Sequence, residues 1–288
     1  MYDSILIPTD GKEGTVPAIE HGIRIAAETG ATIHALYIID LPQLRSSDAE
    51  RNLASLVKIF EEEGRRATED ITDRAREHGV QVIEAVETGI PFRRILDYSE
   101  TYAIDLVAMG TSGRGRVESY FVGSTVRKIN RLSRVPVLTV RAMTTTPTEE
   151  YRNILLPTDG TLGSRRAIDE CGKLAAQYNA TVHVVYVIDS RIARSGALMD
   201  VMQRESEQAC NDAVSRVTNA GAMSRIETLR GRPAEQLLVY TDNHDIDLIV
   251  MGTHGRTGID RFVMGSVAEK VVRRTTKPVL TVRNLGED

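Results

Sequence analysis

The segment ILIPTDG at residues 5–11 decides the fold, because the chain repeats it as ILLPTDG at residues 154–160. Three further segments recur in the same order: YIID at 37–40 as YVID at 186–189, IDLVAMGT at 104–111 as IDLIVMGT at 246–253, and PVLTVR at both 136–141 and 278–283. Self-similarity of this kind predicts that one structural unit occurs twice along the chain.

The positions of the repeats predict two domains and a linker. We expect residues 1–142 to form the first domain, residues 143–150 a polar linker that contains proline, and residues 151–288 the second domain. The early repeats are offset by 149 residues and the late ones by 142, so the first copy is seven residues longer between Asp40 and Gly110. Seven residues make about two helical turns, which predicts a longer helix or flanking loop there.

Within each copy, short apolar runs alternate with segments of helical periodicity. In the first copy we expect strands at Ser4–Pro8, Thr32–Ile39, Gln81–Val86, Asp105–Met109 and Val135–Val140. Helices are expected from Val16, within residues 48–78, from Pro91 and over residues 124–132, with residues 266–274 as the last helix of the second copy. Five strands separated by helices predict an α/β fold, a doubly wound parallel sheet in each domain.

Composition excludes several classes of partner. Lysine and arginine total 36 against 40 acidic residues, a formal net charge of −4, so the cationic surface that nucleic acid requires is not expected. No apolar run approaches the ~18 residues of a membrane span. Cys171 and Cys210 are too few for a disulfide framework. We therefore expect a cytoplasmic protein that binds neither nucleic acid nor membrane.

A glycine pattern follows the fourth strand of each copy. The spacing G-x2-G-x9-G-S begins at Gly110 and, in the second copy, at Gly252, and it leads into helices at Ser124 and Ser266. Ligands of open α/β sheets bind at the carboxyl ends of the strands. Glycine lets the backbone approach a ligand closely and adopt positive φ, and helix amino termini favour anions. The pattern predicts a polyphosphate site that is neither a Walker A loop nor a G-x-G-x-x-G dinucleotide loop.

This pattern, together with Pro-Thr-Asp at the end of the first strand, resembles the universal stress protein family. The resemblance covers both repeats and implies a tandem two-domain member with the ATP-binding motif in each domain. It further implies a five-stranded parallel sheet of order 3-2-1-4-5, a nucleotide-binding α-hydrolase-like fold. ATP, with Mg²⁺ carried by the triphosphate, would lie across the ends of the first and fourth strands.

The resemblance also assigns binding residues by position. Asp10 and Asp159 would meet the ribose, and the backbone of Ile38 and Val187 would meet adenine. The implied set in the first domain is Pro8, Thr9, Asp10, Ile38, Gly110, Gly113, Arg114, Gly123, Ser124 and Thr125. In the second domain it is Pro157, Thr158, Asp159, Val187, Gly252, Gly255, Arg256, Gly265, Ser266 and Val267. The set includes no catalytic residue and no metal ligand from the protein.

Simpler interpretations of several residues stay open. Asp10 and Asp159 are also suited to capping the helix that follows them. Ser266 with Glu269 three residues later is typical of a capping box. Three arginines of the glycine loops, Arg114, Arg116 and Arg256, are either phosphate ligands or ordinary surface cations. His254 is more typical of an exposed loop residue than of a general base.

The leading hypothesis is an ATP-binding stress-response module that regulates through binding. The alternatives are a slow ATPase or autophosphorylating enzyme, a protein that binds AMP or another nucleotide, and a scaffold that acts through its surface alone. An apolar last strand invites edge pairing, and the family resemblance implies that the fifth strands of two domains pair with each other. We therefore expect Val135–Val140 and Lys277–Val282 to pair within the chain as a pseudo-dimer; the alternative is that each strand only completes its own sheet. Association of two chains and the identity of a protein partner are left open.

Overall fold

The computed structural model describes residues 1–40, 53–111, 122–144, 151–192, 195–253 and 264–285. The chain divides into two units, Met1–Thr148 and Glu149–Asp288. Each unit alternates strands with helices, as the hydrophobic periodicity predicts. Within the described residues, no helix is both long and apolar enough to cross a bilayer.

The first unit contains five parallel strands and four α-helices within its described residues. Its elements are β1 Ser4–Thr9, α1 Val16–Thr29, β2 Thr32–Ile39, α2 Leu53–Glu77, β3 Val82–Thr88, α3 Pro91–Thr101, β4 Leu106–Gly110, α4 Ser124–Leu132 and β5 Val137–Val140. The strand order is β3-β2-β1-β4-β5, and each neighbouring pair is parallel.

The second unit repeats this topology. Its elements are β6 Asn153–Pro157, α5 Leu162–Tyr178, β7 Thr181–Asp189, α6 Gly196–Asn219, β8 Met223–Gly231, α7 Pro233–Asn243, β9 Leu248–Gly252, α8 Ser266–Arg274 and β10 Val279–Val282. The order β8-β7-β6-β9-β10 corresponds to that of the first unit, again with parallel pairs. The predicted fold class, two doubly wound domains of order 3-2-1-4-5, is confirmed.

The two faces of the central strand explain why helices cover both sides. In β1, Leu6 belongs to an apolar cluster with Ile95 of α3 and Ile129 of α4. The next residue, Ile7, points the other way, because a Cβ added to Gly22 of α1 would lie 2.7 Å from its Cδ1. Since neighbouring side chains of a strand alternate between faces, a continuous apolar run requires helices on both.

One carboxylate in each unit holds the amino-terminal edge of the sheet. Asp105 accepts the backbone amides of Asp3 and Ser4 through a single oxygen, at 2.8 and 3.0 Å. Asp247 accepts those of Arg152 and Asn153 in the same way, at 2.8 and 2.9 Å. This repeated contact fixes β1 against β4, and β6 against β9, at the edge opposite the predicted ligand site.

The extra length of the first copy lies mainly before α2. Helices α2 and α6 have 25 and 24 residues. Thirteen residues separate Ile39 from Leu53, whereas seven separate Ile188 from Gly196. The connection therefore contains six of the seven additional residues, and residues 41–52 of it lie outside the described part of the chain.

The last strand of each unit begins two residues later than the sequence pattern predicts. The Ser133 hydroxyl donates to the Val135 carbonyl at 2.7 Å and accepts its amide at 3.2 Å, which closes a turn after α4. In the second unit the Lys277 amide donates to the Thr275 hydroxyl at 3.1 Å. Local hydroxyl-to-backbone bonds of this kind compete with sheet pairing.

Candidate functional site

Two hydroxyls brace the turn that follows β1. Thr9 Oγ1 accepts the Gly11 amide at 3.0 Å and lies 3.4 Å from Thr15 Oγ1. Thr15 in turn donates to the Lys12 carbonyl at 2.7 Å. Gly11 has a φ of +71°, a conformation that glycine adopts without the cost a Cβ brings. The turn is thus fixed by contacts from the strand end to the helix start.

The second unit repeats the brace with serine in place of one threonine. Thr158 Oγ1 lies 3.3 Å from Ser164 Oγ and accepts the Gly160 amide at 3.2 Å. Ser164 donates to the Thr161 carbonyl at 2.8 Å. The sequence analysis did not single out Thr15 or Ser164. The sequence contains the signal, since a residue with a hydroxyl group follows the threonine of each Pro-Thr-Asp segment by six positions.

The two aspartates support the turn and do not cap the helices. Asp10 accepts the Lys12 amide at 3.2 Å and pairs with the Lys12 ammonium at 3.3 Å. Asp159 accepts the amide and hydroxyl of Thr161 at 3.1 and 2.7 Å. The N-caps of α1 and α5 are Thr15 and Thr161, so the capping interpretation is wrong. The Asp10 side chain remains 40% exposed beside the strand end.

The glycines that end β4 and β9 fit closely against this turn. A Cβ on Gly110 would lie 3.0 Å from the Gly14 carbonyl oxygen, and one on Gly252 would lie 2.8 Å from that of Gly163. Neither has positive φ, so the expectation of positive φ is wrong for these two. Packing against the turn therefore leaves little room for a side chain at either position.

The helices α4 and α8 begin beside these strand ends in the same way. Gly123 and Gly265 are the N-caps, with φ of −55° and −59°, so positive φ is not found here either. The Gly123 amide donates to the Thr111 carbonyl at 2.8 Å, and the Gly265 amide donates to that of Thr253 at 2.7 Å. These bonds hold each helix amino terminus at the carboxyl end of its strand.

The first helical residues, Ser124 and Ser266, are exposed. Because Gly265 is the N-cap and no side-chain cap forms, the capping-box interpretation of Ser266 is wrong. The amides of Thr125 and Val267 belong to the first turn, where helix geometry supplies no intrahelical acceptor. Each helix start therefore presents backbone donors together with an exposed hydroxyl.

The residues predicted to meet adenine lie at the same edge. Thr9, the last residue of β1, is in register with Tyr37 of β2, so Ile38 lies just beyond the carboxyl end of β1. Pro157 is in register with Val185, so Val187 lies beyond the end of β6. Both Ile38 and Val187 are half-buried within otherwise buried segments.

The structure thus brings most of the predicted set to the carboxyl edge of each sheet. In the first unit these residues are Pro8, Thr9, Asp10, Ile38, Gly110, Gly123, Ser124 and Thr125. In the second they are Pro157, Thr158, Asp159, Val187, Gly252, Gly265, Ser266 and Val267. The candidates Gly113, Arg114, Gly255 and Arg256, together with Arg116 and His254, lie outside the described residues.

A groove of about 800 Å³ opens beside the turn of the first unit, between α1 and α2. Its described lining includes Thr9 and Glu62 but no residue of the glycine pattern. Nearby, burial raises the pKa of Tyr37 to about 12, with smaller contributions from the carboxylates of Glu63 and Asp10. The phenol is therefore protonated at neutral pH.

A smaller cavity, of about 130 Å³, borders the start of α8 in the second unit. Ser266 and Val267 line it together with Arg191, Arg232 and Lys270. The sequence analysis missed these three cations. Aligning the two copies would have singled out Arg232, because a charged residue there replaces the apolar Ile90 of the first copy.

An acidic residue fixes one of these cations. Arg191 donates to both carboxylate oxygens of Asp189, with its Nε 2.9 and 3.2 Å from them. The hydrogen bonds from Arg191 outweigh burial and hold the pKa of the Asp189 carboxyl below its usual range. The pair therefore remains ionised at neutral pH, with the guanidinium at the edge of the cavity.

Comparison with known proteins relates both units to the same family. The model of the universal stress protein family matches residues 1–141 and again residues 150–283. A universal stress protein of Methanocaldococcus jannaschii is 31% identical over 141 residues, 49% of this chain and 83% of that protein.

Solved structures extend the likeness to the whole chain. A universal stress protein of Archaeoglobus fulgidus superimposes with a TM-score of 0.74 at 19% identity, covering 97% of this chain and 98% of that one. A Pseudomonas aeruginosa protein of unknown function does so with a TM-score of 0.68 at 18% identity, covering 98% and 92%. At such identities the likeness shows the fold and does not identify a ligand.

Proposed function

Because the chain belongs to the universal stress protein family, we propose that it is a cytoplasmic stress-response protein in which each domain binds ATP with Mg²⁺. One observation carries the proposal: both units repeat the same site architecture, contact by contact. In each, a threonine-braced turn with an aspartate adjoins a glycine strand end and an exposed serine at a helix start.

The arrangement suits a nucleotide whose phosphates reach the helix start. In the first domain, the amide of Thr125 and the hydroxyl of Ser124 are donors at the same edge of the sheet, and the helix amino terminus favours negative charge. Asp10 at the neighbouring strand end offers a carboxylate that can accept ribose hydroxyls. Mg²⁺ would arrive with the triphosphate and neutralise part of its charge.

The role proposed for this site is regulation through binding. Phosphoryl transfer depends mainly on positioning and charge neutralisation, so slow hydrolysis is the alternative that a binding experiment must separate. In the described part of each site, Asp10 and Asp159 already accept the amides of their own turns.

The test begins with protein purified without added nucleotide. After denaturation, the released nucleotide is identified by chromatography and mass spectrometry, and the stripped protein is titrated calorimetrically with Mg·ATP. We expect two ATP per chain. Release and binding of AMP instead would replace ATP as the ligand, and the absence of any nucleotide binding would leave the surface-scaffold hypothesis.

Single variants assign the sites. Ser124→Ala and Ser266→Ala should each weaken ATP binding at one of two sites by roughly three- to tenfold, the usual effect of losing one hydrogen bond. Ser215→Ala is the matched control, because that exposed serine bonds only within α6, to the Asn211 carbonyl. If both site variants bind ATP as the control does, the helix starts are not the phosphate site. ADP formation that persists in the Ser124→Ala, Ser266→Ala double variant would point to a contaminating ATPase.

A further inference from the structure

The two units differ in one feature beside the starts of their fourth helices. In the first unit, Phe92 is half-buried against the apolar cluster, and the Lys128 ammonium lies 4.2 Å from the centre of its ring. The second unit has Ala234 at the corresponding position, and Ala234 lines the cavity of about 130 Å³. Lys270, which corresponds to Lys128, borders this cavity.

The cavity wall is strongly cationic. Five basic side chains and the carboxylate of Glu235 line it, the basic ones being Arg191, Arg232, Lys270, Arg273 and Arg274. The Asp189 carboxylate, outside the lining, pairs with Arg191. Arg232 pairs with Glu235 at 3.2 Å, but both side chains are about half exposed or more, so the pair is weak. In the first unit the residues corresponding to Arg232 and Arg274 are Ile90 and Leu132, whereas Arg93 stands in place of Glu235. The two units therefore differ in where their cations lie, and in the first unit Lys128 and Arg93 lie against the Phe92 ring.

The partial positive charge of helix amino termini adds to the charge of the basic side chains. Helices α7 and α8 both begin at the cavity, with Pro233, Ala234 and Ser266 among its lining residues. The amino termini of two helices therefore border the same small space, and each helix terminus favours an anion. A volume of 130 Å³ corresponds to about four waters, which is enough for a phosphate group.

We propose that this cavity is a phosphate subsite of the second domain's nucleotide site, and that it makes the second domain bind phosphate-rich nucleotides more tightly than the first. The inference rests on the proposed function, because Ser266 and Val267 line the cavity and also belong to the proposed phosphate site. Arg191, held by Asp189, and Arg232 would contact phosphate oxygens directly. Phe92 occupies the corresponding place in the first domain.

The experiment titrates the full chain with Mg·ATP and with adenosine. Wild type should show two ATP affinities. Arg232→Gln should lower the tighter one by about tenfold, as loss of a charged hydrogen bond does, and leave adenosine binding unchanged. Ala234→Phe fills the cavity with the side chain found in the first unit and should have the same effect. Arg204→Gln, on the exposed surface of α6, makes the same charge change and should leave both affinities unaltered.

A gain-of-function variant tests the converse. Ile90→Arg combined with Phe92→Ala should open the corresponding space in the first domain and raise its ATP affinity, with folding checked by circular dichroism. Two equal ATP affinities in wild type, or an effect of Arg232→Gln no larger than that of Arg204→Gln, would overturn the proposal while leaving ATP binding itself intact.

A probe without adenine distinguishes failure of this proposal from failure of the proposed function. If wild type binds no nucleotide, inorganic tripolyphosphate is titrated instead. One bound tripolyphosphate that Arg232→Gln weakens and Arg204→Gln does not would still identify the cavity as an anion site. Equal tripolyphosphate binding by the two variants, or none by wild type, would rule the cavity out.

Discussion

At the ends of β4 and β9, Gly110 and Gly252 have no room for a side chain. A Cβ on Gly252 would lie 2.8 Å from the Gly163 carbonyl oxygen, a backbone atom that cannot rotate away. The same glycine pattern indicates close approach of a phosphate, so packing and binding both explain it. The two explanations predict different consequences of adding a methyl group.

Gly252→Ala should lower the free energy of unfolding by about 1–3 kcal/mol, the usual cost of overpacking, as measured by urea denaturation. Gly196→Ala is the control, because a Cβ there meets nothing within 4 Å. A Gly252→Ala protein that is as stable as the control but binds ATP more weakly would show that the ligand, and not packing, requires this glycine.

His183 is fully buried on β7 and surrounded by polar groups. The Arg225 guanidinium lies 2.7 Å from its Nε2, and the Tyr240 hydroxyl lies 3.2 Å from its Nδ1. Burial, followed by the charges of Arg225 and His244, lowers the pKa of His183 from 6.5 to about 4. The imidazole is therefore neutral in the native state over a range in which the unfolded chain binds a proton.

Stability should consequently decrease as the pH falls from about 6.5 to about 4, because the unfolded state gains the proton first. We expect a contribution on the order of 2 kcal/mol, measured as the free energy of unfolding at pH 7.5 and 4.5. His183→Gln should flatten this dependence, whereas His78→Gln, at an exposed position, should not. Equal pH slopes for wild type and His183→Gln would contradict the assignment.

In each unit, a carboxylate just before the fourth strand accepts backbone amides at the start of the central strand. Asp247 accepts the amides of Arg152 and Asn153 before β9 begins, so it fixes the entrance of β6. Asp247→Ala should reduce the free energy of unfolding by about 1–3 kcal/mol, since it leaves two amides without this acceptor.

Asp242→Ala removes an exposed carboxylate of α7 and is the control for the change in charge. The two variants are compared by urea denaturation at the same ionic strength. If Asp247→Ala unfolds at the same urea concentration as Asp242→Ala, water replaces the carboxylate at no cost, and the repeated contact is not what holds the strand.

For the whole molecule, the two cysteines report on one unit alone. Cys171 and Cys210 are both buried in the second unit. Burial raises the pKa of both thiols, that of Cys210 to about 11. Because the thiolate is the reactive form, neither should react while that unit is folded.

We expect no reaction with Ellman's reagent in native buffer and two thiols per chain in urea. Labelling at intermediate urea concentrations then measures opening of the second unit, and Cys210→Ser assigns the signal to Cys171. Fast labelling of a native thiol would mean that the second unit opens far more readily than its buried core indicates.

Pairing of Val135–Val140 with Lys277–Val282 stays a prediction, and light scattering of the full chain would establish the oligomeric state.

The sequence by itself determined the fold class, the strand order through family resemblance, and the starts of several helices. The helices Ser124–Leu132 and Ser266–Arg274 have the bounds that the pattern predicts, and α3 and α7 begin at Pro91 and Pro233. Such features depend on periodicity and on residues a few positions apart, and the repetition of each signal strengthened the interpretation.

Only the tertiary structure decided what individual residues of the site do. Gly265, not Ser266, is the N-cap of α8, and Gly252 packs against Gly163. The cavity of the second unit is lined by Ala234 of one helix and by Ser266 at the start of another. These outcomes depend on distances of about an ångström between segments far apart in the chain, and a local pattern of residues does not contain those distances.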